Sequence, residues 1–145
     1  MTVVPKKKLN FDYEFSKLNS FSTGLNNKSI LIIDDNSLIL KNLTLMLTKN
    51  GFTVYGASTE FESLELFYSH TDIKLVILDY FSSEINGLEL FSIYKTLNPG
   101  LRILMLIDDD INIKFWENLD IEAFIAKPIL LDYLVLVLEE TLLLQ

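Results

Sequence analysis

The stretch SILIIDDNS, residues 29–37, runs four aliphatic side chains, Ile30 to Ile33, straight into two acids, with Asp35 or Asn36 placed to cap a following helix. A near-continuous aliphatic run of this length is what a strand covered on both faces requires, and such strands belong to parallel sheets sandwiched by helices. Asp34 and Asp35 therefore stand at the carboxyl end of a buried strand. Beyond them Leu38, Leu40, Leu43, Met46 and Leu47 recur at helical spacing and stop at Asn50-Gly51, so the stretch opens a strand–loop–helix unit. The unit repeats along the chain. Further strands are predicted over 52–57, 75–78, 102–107 and 123–126. Between them a second helix is capped by Ser58 or Thr59, with Phe61, Leu64 and Phe67 on one face. A third runs from Gly87 to Leu97 and a fourth, weaker one lies around Asp110 to Asn118; the fifth spans Leu130 to Leu143. Alternating strand and helix patterns in 145 residues make an α/β fold, a doubly wound five-stranded parallel sheet in the order 2-1-3-4-5.

Composition narrows the chemistry. Half of the residues are apolar and 22% are charged, which places the chain among folding sequences. With no cysteine and a single histidine it offers neither a disulfide framework nor a zinc site. A formal net charge of −8 argues against nucleic-acid binding and suits an acidic site that takes a cation. The apolar segment from Ile129 to Gln145 is interrupted by Asp132, Glu139 and Glu140, and no apolar run follows Lys6 to Lys8. Neither a membrane span nor a signal peptide is therefore read, and the expectation is a soluble cytoplasmic protein. Residues 1–29 carry five lysines against two acids, while the remainder carries seven basic and eighteen acidic residues. That shift divides a flexible N-terminal extension, residues 1–28, from the folded domain, residues 29–145.

In doubly wound sheets ligands bind beyond the carboxyl ends of the strands, where the winding reverses, here between the first and third strands. The first ends in Asp34-Asp35 and the third in Asp79, so three carboxylates converge on one crevice. Like charges that close need a raised pKa or a cation, and all-oxygen ligation suits Mg²⁺ or Mn²⁺. Lys127, at the end of the fifth strand and followed by Pro128, supplies a positive partner for Asp79.

Asp34-Asp35, Asp79 with Gly87 eight positions later, and Lys127-Pro128 together resemble the receiver domain of bacterial two-component response regulators, over about residues 29–145. The resemblance implies that Asp79 is the phosphoryl acceptor, supplied by a histidine kinase or phosphotransfer protein. It implies that Asp35, Asp79 and the Phe81 carbonyl bind Mg²⁺ or Mn²⁺, with Asp34 assisting. Lys127 would hold a phosphoryl oxygen, Phe124 would take the aromatic switch position, and the Lys127-Pro128 bond would be cis. Two positions depart from the family pattern. A hydroxyl residue normally ends the fourth strand, where this chain has Ile107 followed by Asp108; a Met-Pro pair normally follows the acceptor, where this chain has Ser82 and Ser83.

The resemblance makes the chain a phosphoacceptor signalling domain, at most self-catalysing phosphoryl transfer and loss, and not an enzyme in the ordinary sense. The alternative is a pseudo-receiver that acts as a phosphorylation-independent dimerisation or interaction module. A haloacid-dehalogenase-like phosphatase would need an Asp-x-Asp pair, and Asp34-Asp35-Asn36 misplaces the second acid. No DNA-binding unit follows the last helix, so the chain is read as a stand-alone receiver or the receiver of a longer regulator. A homodimer is expected through the face built from the fourth helix, fifth strand and fifth helix. On that last helix Leu130, Leu134, Leu138 and Thr141 share the sheet-facing stripe, while Leu136 and Leu143 point away. The outer stripe serves either a partner copy or the chain's own N-terminal extension folding back.

Overall fold

The computed structural model describes residues 3–5, 29–80, 85–108 and 118–143. In chain order the elements are β1 (Val3–Pro5), β2 (Ser29–Ile33), α1 (Ser37–Lys49), β3 (Thr53–Ala57), α2 (Glu60–Ser69), β4 (Ile73–Asp79), α3 (Gly87–Leu97), β5 (Arg102–Ile107), β6 (Ala123–Ala126) and α4 (Leu131–Leu143). The sheet order is β1-β6-β5-β4-β2-β3. Strands β2 to β6 are parallel and in the expected order, and β1 joins β6 antiparallel at the edge. The sequence reading left residues 1–28 outside the sheet; three of them extend it to six strands. The predicted helix around Asp110 to Asn118 lies outside the described residues, apart from its last position.

Local chemistry explains where the elements start and stop. Asn36 caps α1, its side chain accepting from the Leu38 and Ile39 amides, and Thr59 and Asn86 cap α2 and α3 in the same way. Gly51 ends the first helical unit at φ 94°, a conformation that glycine adopts without a Cβ clash.

The parallel strands alternate their side chains between two apolar layers. Leu31, Ile33, Val76, Leu78, Ile103, Met105 and Phe124 pack with α3 residues Leu90, Phe91 and Tyr94 and with Leu64 and Phe67 of α2. On the opposite face Ile30, Ile32, Leu75, Ile77, Leu104, Leu106 and Ile125 pack with Leu43 and Leu47 of α1 and with Leu134, Val137, Leu138 and Leu142 of α4. Among the described residues two helices thus cover each face, and the crevice lies at the carboxyl ends of the central strands.

Helical phase departs from expectation in five places, one of them Met46, which is exposed in the third turn of α1 although the periodicity placed it on the apolar stripe. Leu38, Phe61 and Leu130 are exposed, although the periodicity turned them inward, and each sits within two residues of a helix start, where the chain has just changed direction. Leu136 was turned outward but is buried, at 7% exposure. The side chain of Leu143 lies outside the described residues.

Candidate functional site

Strand register builds the site. Ile33 lies level with Leu78, so the next residue on each strand, Asp34 and Asp79, come side by side. Asp34 is held by its amide, which donates to the Ala57 carbonyl at 3.0 Å, and by its Oδ1, which accepts from the Asn36 amide at 2.9 Å. Asp79 is opposite Leu106 on β5, and Ile107 is opposite Ala126 on β6, so Lys127 emerges two strands from Asp79. Its amide donates to the Ile107 carbonyl, and its ammonium reaches over the end of β5 to Asp79 Oδ2 at 2.9 Å. The Lys127-Pro128 bond is cis, as expected.

Asp34 and Asp79 are buried, at 0% and 1% exposure, and Asp35 is half-buried. One carboxylate oxygen from each of the three lies within 4.8 Å of the others. Burial pushes the Asp79 carboxyl up from 3.8 to about 6, against the lowering pull of its bond to Lys127, and the neighbouring Asp34 charge raises it further. Asp34 Oδ2 is buried and receives no hydrogen bond from the described residues. A buried carboxylate oxygen with no donor, facing two other carboxylates, is an environment that a hard cation with oxygen ligands would satisfy. The donor set therefore fits Mg²⁺ or Mn²⁺, with Asp34, Asp35 and Asp79 as the protein groups that would hold it.

The helix cap belongs to Asn36, which leaves Asp35 at the crevice instead of at the helix end. Gly87 has a packing reason that its spacing from Asp79 does not disclose. A Cβ there would stand 3.1 Å from the Tyr80 Cα and 3.4 Å from the Asp79 carbonyl oxygen, so any larger residue would press the start of α3 away from the acceptor strand by a few tenths of an ångström. Ile107 and Phe124 are both buried in the layer that α2 and α3 cover. Phe81, Ser82 and Ser83 lie outside the described residues.

Residues 30–139 match the family model of the response regulator receiver domain. The chain belongs to that family. The receiver domain protein of Clostridium thermocellum superposes with a TM-score of 0.71 at 25% identity, covering 81% of this chain and 99% of that one. Response regulator TrrA of Thermotoga maritima, solved in complex with Mg²⁺ and BeF, gives 0.68 at 24% identity over 78% of this chain and 97% of its own. The transcriptional regulatory protein GlrR of Escherichia coli is 32% identical over 77 residues, which are 53% of this chain and 17% of GlrR. The chain thus spans a small part of that relative's length. Receiver domains are signalling modules of two-component systems, and this one keeps the acidic crevice and the lysine in place. Among its described residues no helix is long and apolar enough to cross a membrane.

Proposed function

We propose that Asp79 accepts a phosphoryl group from a phosphohistidine on a histidine kinase or phosphotransfer protein, in the cytoplasm. A carboxylate oxygen of Asp79 attacks phosphorus, the phosphorus–nitrogen bond breaks, and its electron pair returns to the imidazole; the product is an aspartyl phosphate. The observation that carries this reading is the buried Asp79 held by Lys127 at 2.9 Å beside Asp34 and Asp35. Lys127 offsets the charge that accumulates on the transferring group. Mg²⁺ or Mn²⁺, when bound by Asp34, Asp35, Asp79 and the Phe81 carbonyl, supplies further charge neutralisation.

The donor has a place to dock. A groove of about 300 Å³ beside Lys127 is lined by Ile39, Leu43, Met46, Pro128 and Ile129, and Leu38 and Leu130, the sequence neighbours of Ile39 and Ile129, are exposed. Apolar surface next to a buried acid suits a protein donor better than a small anion. The outer face of β6 and α4 serves for association with a second copy.

A second reading, a pseudo-receiver acting without phosphorylation, is favoured by Ile107. Its buried side chain cannot donate a hydrogen bond to a phosphoryl oxygen at the end of β5. Incubation with a small phosphodonor and Mg²⁺, followed by intact mass, separates the two. One phosphoryl group gained by the wild type and lost in Asp79→Asn supports the acceptor; an unmodified wild type supports the pseudo-receiver.

A further inference from the structure

Strand β6 forms one edge of the parallel sheet, and its outer side is taken by β1, with Val3 level with Ile125, Val4 with Phe124 and Pro5 with Ala123. β6 reads Ala123-Phe124-Ile125-Ala126, four buried residues with no charge among them. A strand of this kind, left open, templates pairing with another chain. On the adjoining α4, Leu136 lies opposite the sheet-facing Leu134 and Leu138, yet it is buried in a single copy of the chain. The pairing with β1 shows that this edge is occupied from within.

The occupant of the edge is weak. It has three residues, and Pro5 has no N–H to give to the ladder. Its link to β2, residues 6–28, has an extended reach of roughly 75 Å, against roughly 20 Å for the four strand spacings between β1 and β2. Pairing within the chain is thus favoured by local concentration and not enforced by a short connection.

We infer that Val3–Pro5 is an internal guard of the β6 edge, and that a second copy of the chain takes its place when it leaves, pairing β6 with β6 about a two-fold axis. The antiparallel sense is the one that β1 shows this edge accepts, and it is the sense that two-fold symmetry imposes on a strand paired with itself. With Phe124 level with Ile125 of the second copy, Ala123 meets Ala126, so the paired positions are uncharged throughout. The inference rests on the dimer reading of this face but not on phosphoryl chemistry.

The test uses the full chain without phosphodonor, by sedimentation velocity over a concentration series. Wild type should be monomeric. Val4→Pro, which removes an N–H from the middle of β1, should self-associate at least about tenfold more tightly, and Val4→Gly, which keeps the N–H, should fall between. An excess of a synthetic peptide of residues 1–8 should return Val4→Pro to monomer, and β6 amides should resist hydrogen exchange in the wild-type monomer and in the variant dimer. Two folded variants that stay monomeric throughout would overturn the guard, as would a variant dimer indifferent to the peptide. A wild type that associates as tightly as the variants would do the same. If Val4→Pro does not fold, Val4→Gly decides. Because Asp79 chemistry is not used, failure here leaves the acceptor reading standing.

Discussion

At the amino end of β5 two positive groups each meet an acid: Arg102 meets Glu122 at 2.7 Å and Lys95 meets Asp120 at 2.8 Å. At the carboxyl ends three carboxylates cluster, two of them buried, with Lys127 on Asp79, and among the described residues one oxygen of Asp34 receives no hydrogen bond. The first arrangement is what a sheet needs in order to stay folded. The second gathers like charge at a cost in stability, and the place where a fold does that is the place where it expects a ligand.

The largest effect should come from breaking the compensation at the carboxyl end. Lys127→Met leaves Asp79 buried without its partner and should cost about 2 kcal/mol in urea unfolding at pH 8, less than for a fully buried pair because the lysine is part-exposed. At pH 5 Asp79 carries a proton and needs the partner less, so the loss should shrink. An equal loss at both pH values would mean that Lys127 acts by packing and not by charge.

Removing the acid should have the opposite sign. The folded-state pKa of Asp79, about 6, lies above its ordinary 3.8, so the native state keeps a proton that the unfolded chain releases in that window. Wild-type stability therefore falls as pH rises through the window, and the penalty is complete above it. Without divalent cations Asp79→Asn should gain on the order of 1–2 kcal/mol at pH 7.5. The gain should fade as pH drops through 6 and vanish below about 4. Millimolar Mg²⁺ should stabilise the wild type and narrow the gap; a variant less stable than wild type in metal-free buffer would contradict the strain assigned to this end.

The smallest effect belongs to the amino end. Lys95→Met removes a pair whose acid is largely exposed, together with a hydrogen bond to the Leu101 carbonyl, and should cost about 1 kcal/mol or less. Thermal unfolding at pH 5.5 and 8 should show the same loss. A strong pH dependence there would erase the contrast between the two ends.

Much of the site was legible because its residues follow strands that announce themselves. A parallel strand covered on both faces must be a run of aliphatic residues, and the first polar residue after such a run stands at the sheet edge. Asp34, Asp79 and Lys127 were found by that rule alone. Helical periodicity was less informative near helix starts, since spacing gives an angle but not the direction in which the chain enters; hence Leu38, Phe61 and Leu130 were turned the wrong way. Gly87 was visible as a spacing, but its reason, the approach of α3 to the Tyr80 backbone, was not. β1 had no signal, because Val3-Val4-Pro5 is too short to show a period.

The sequence by itself determined the α/β class, the order of the parallel strands and which acids and which lysine share an edge, because these follow from local hydrophobic pattern and the handedness of strand crossovers. Only the tertiary structure decided the register that sets Asp34 beside Asp79, the 2.9 Å reach of Lys127 across β5, the buried oxygen of Asp34 left without a donor and the strand that closes the β6 edge. Each of these depends on contacts between residues distant in the chain, where burial and pairing partners exist only after the sheet has assembled.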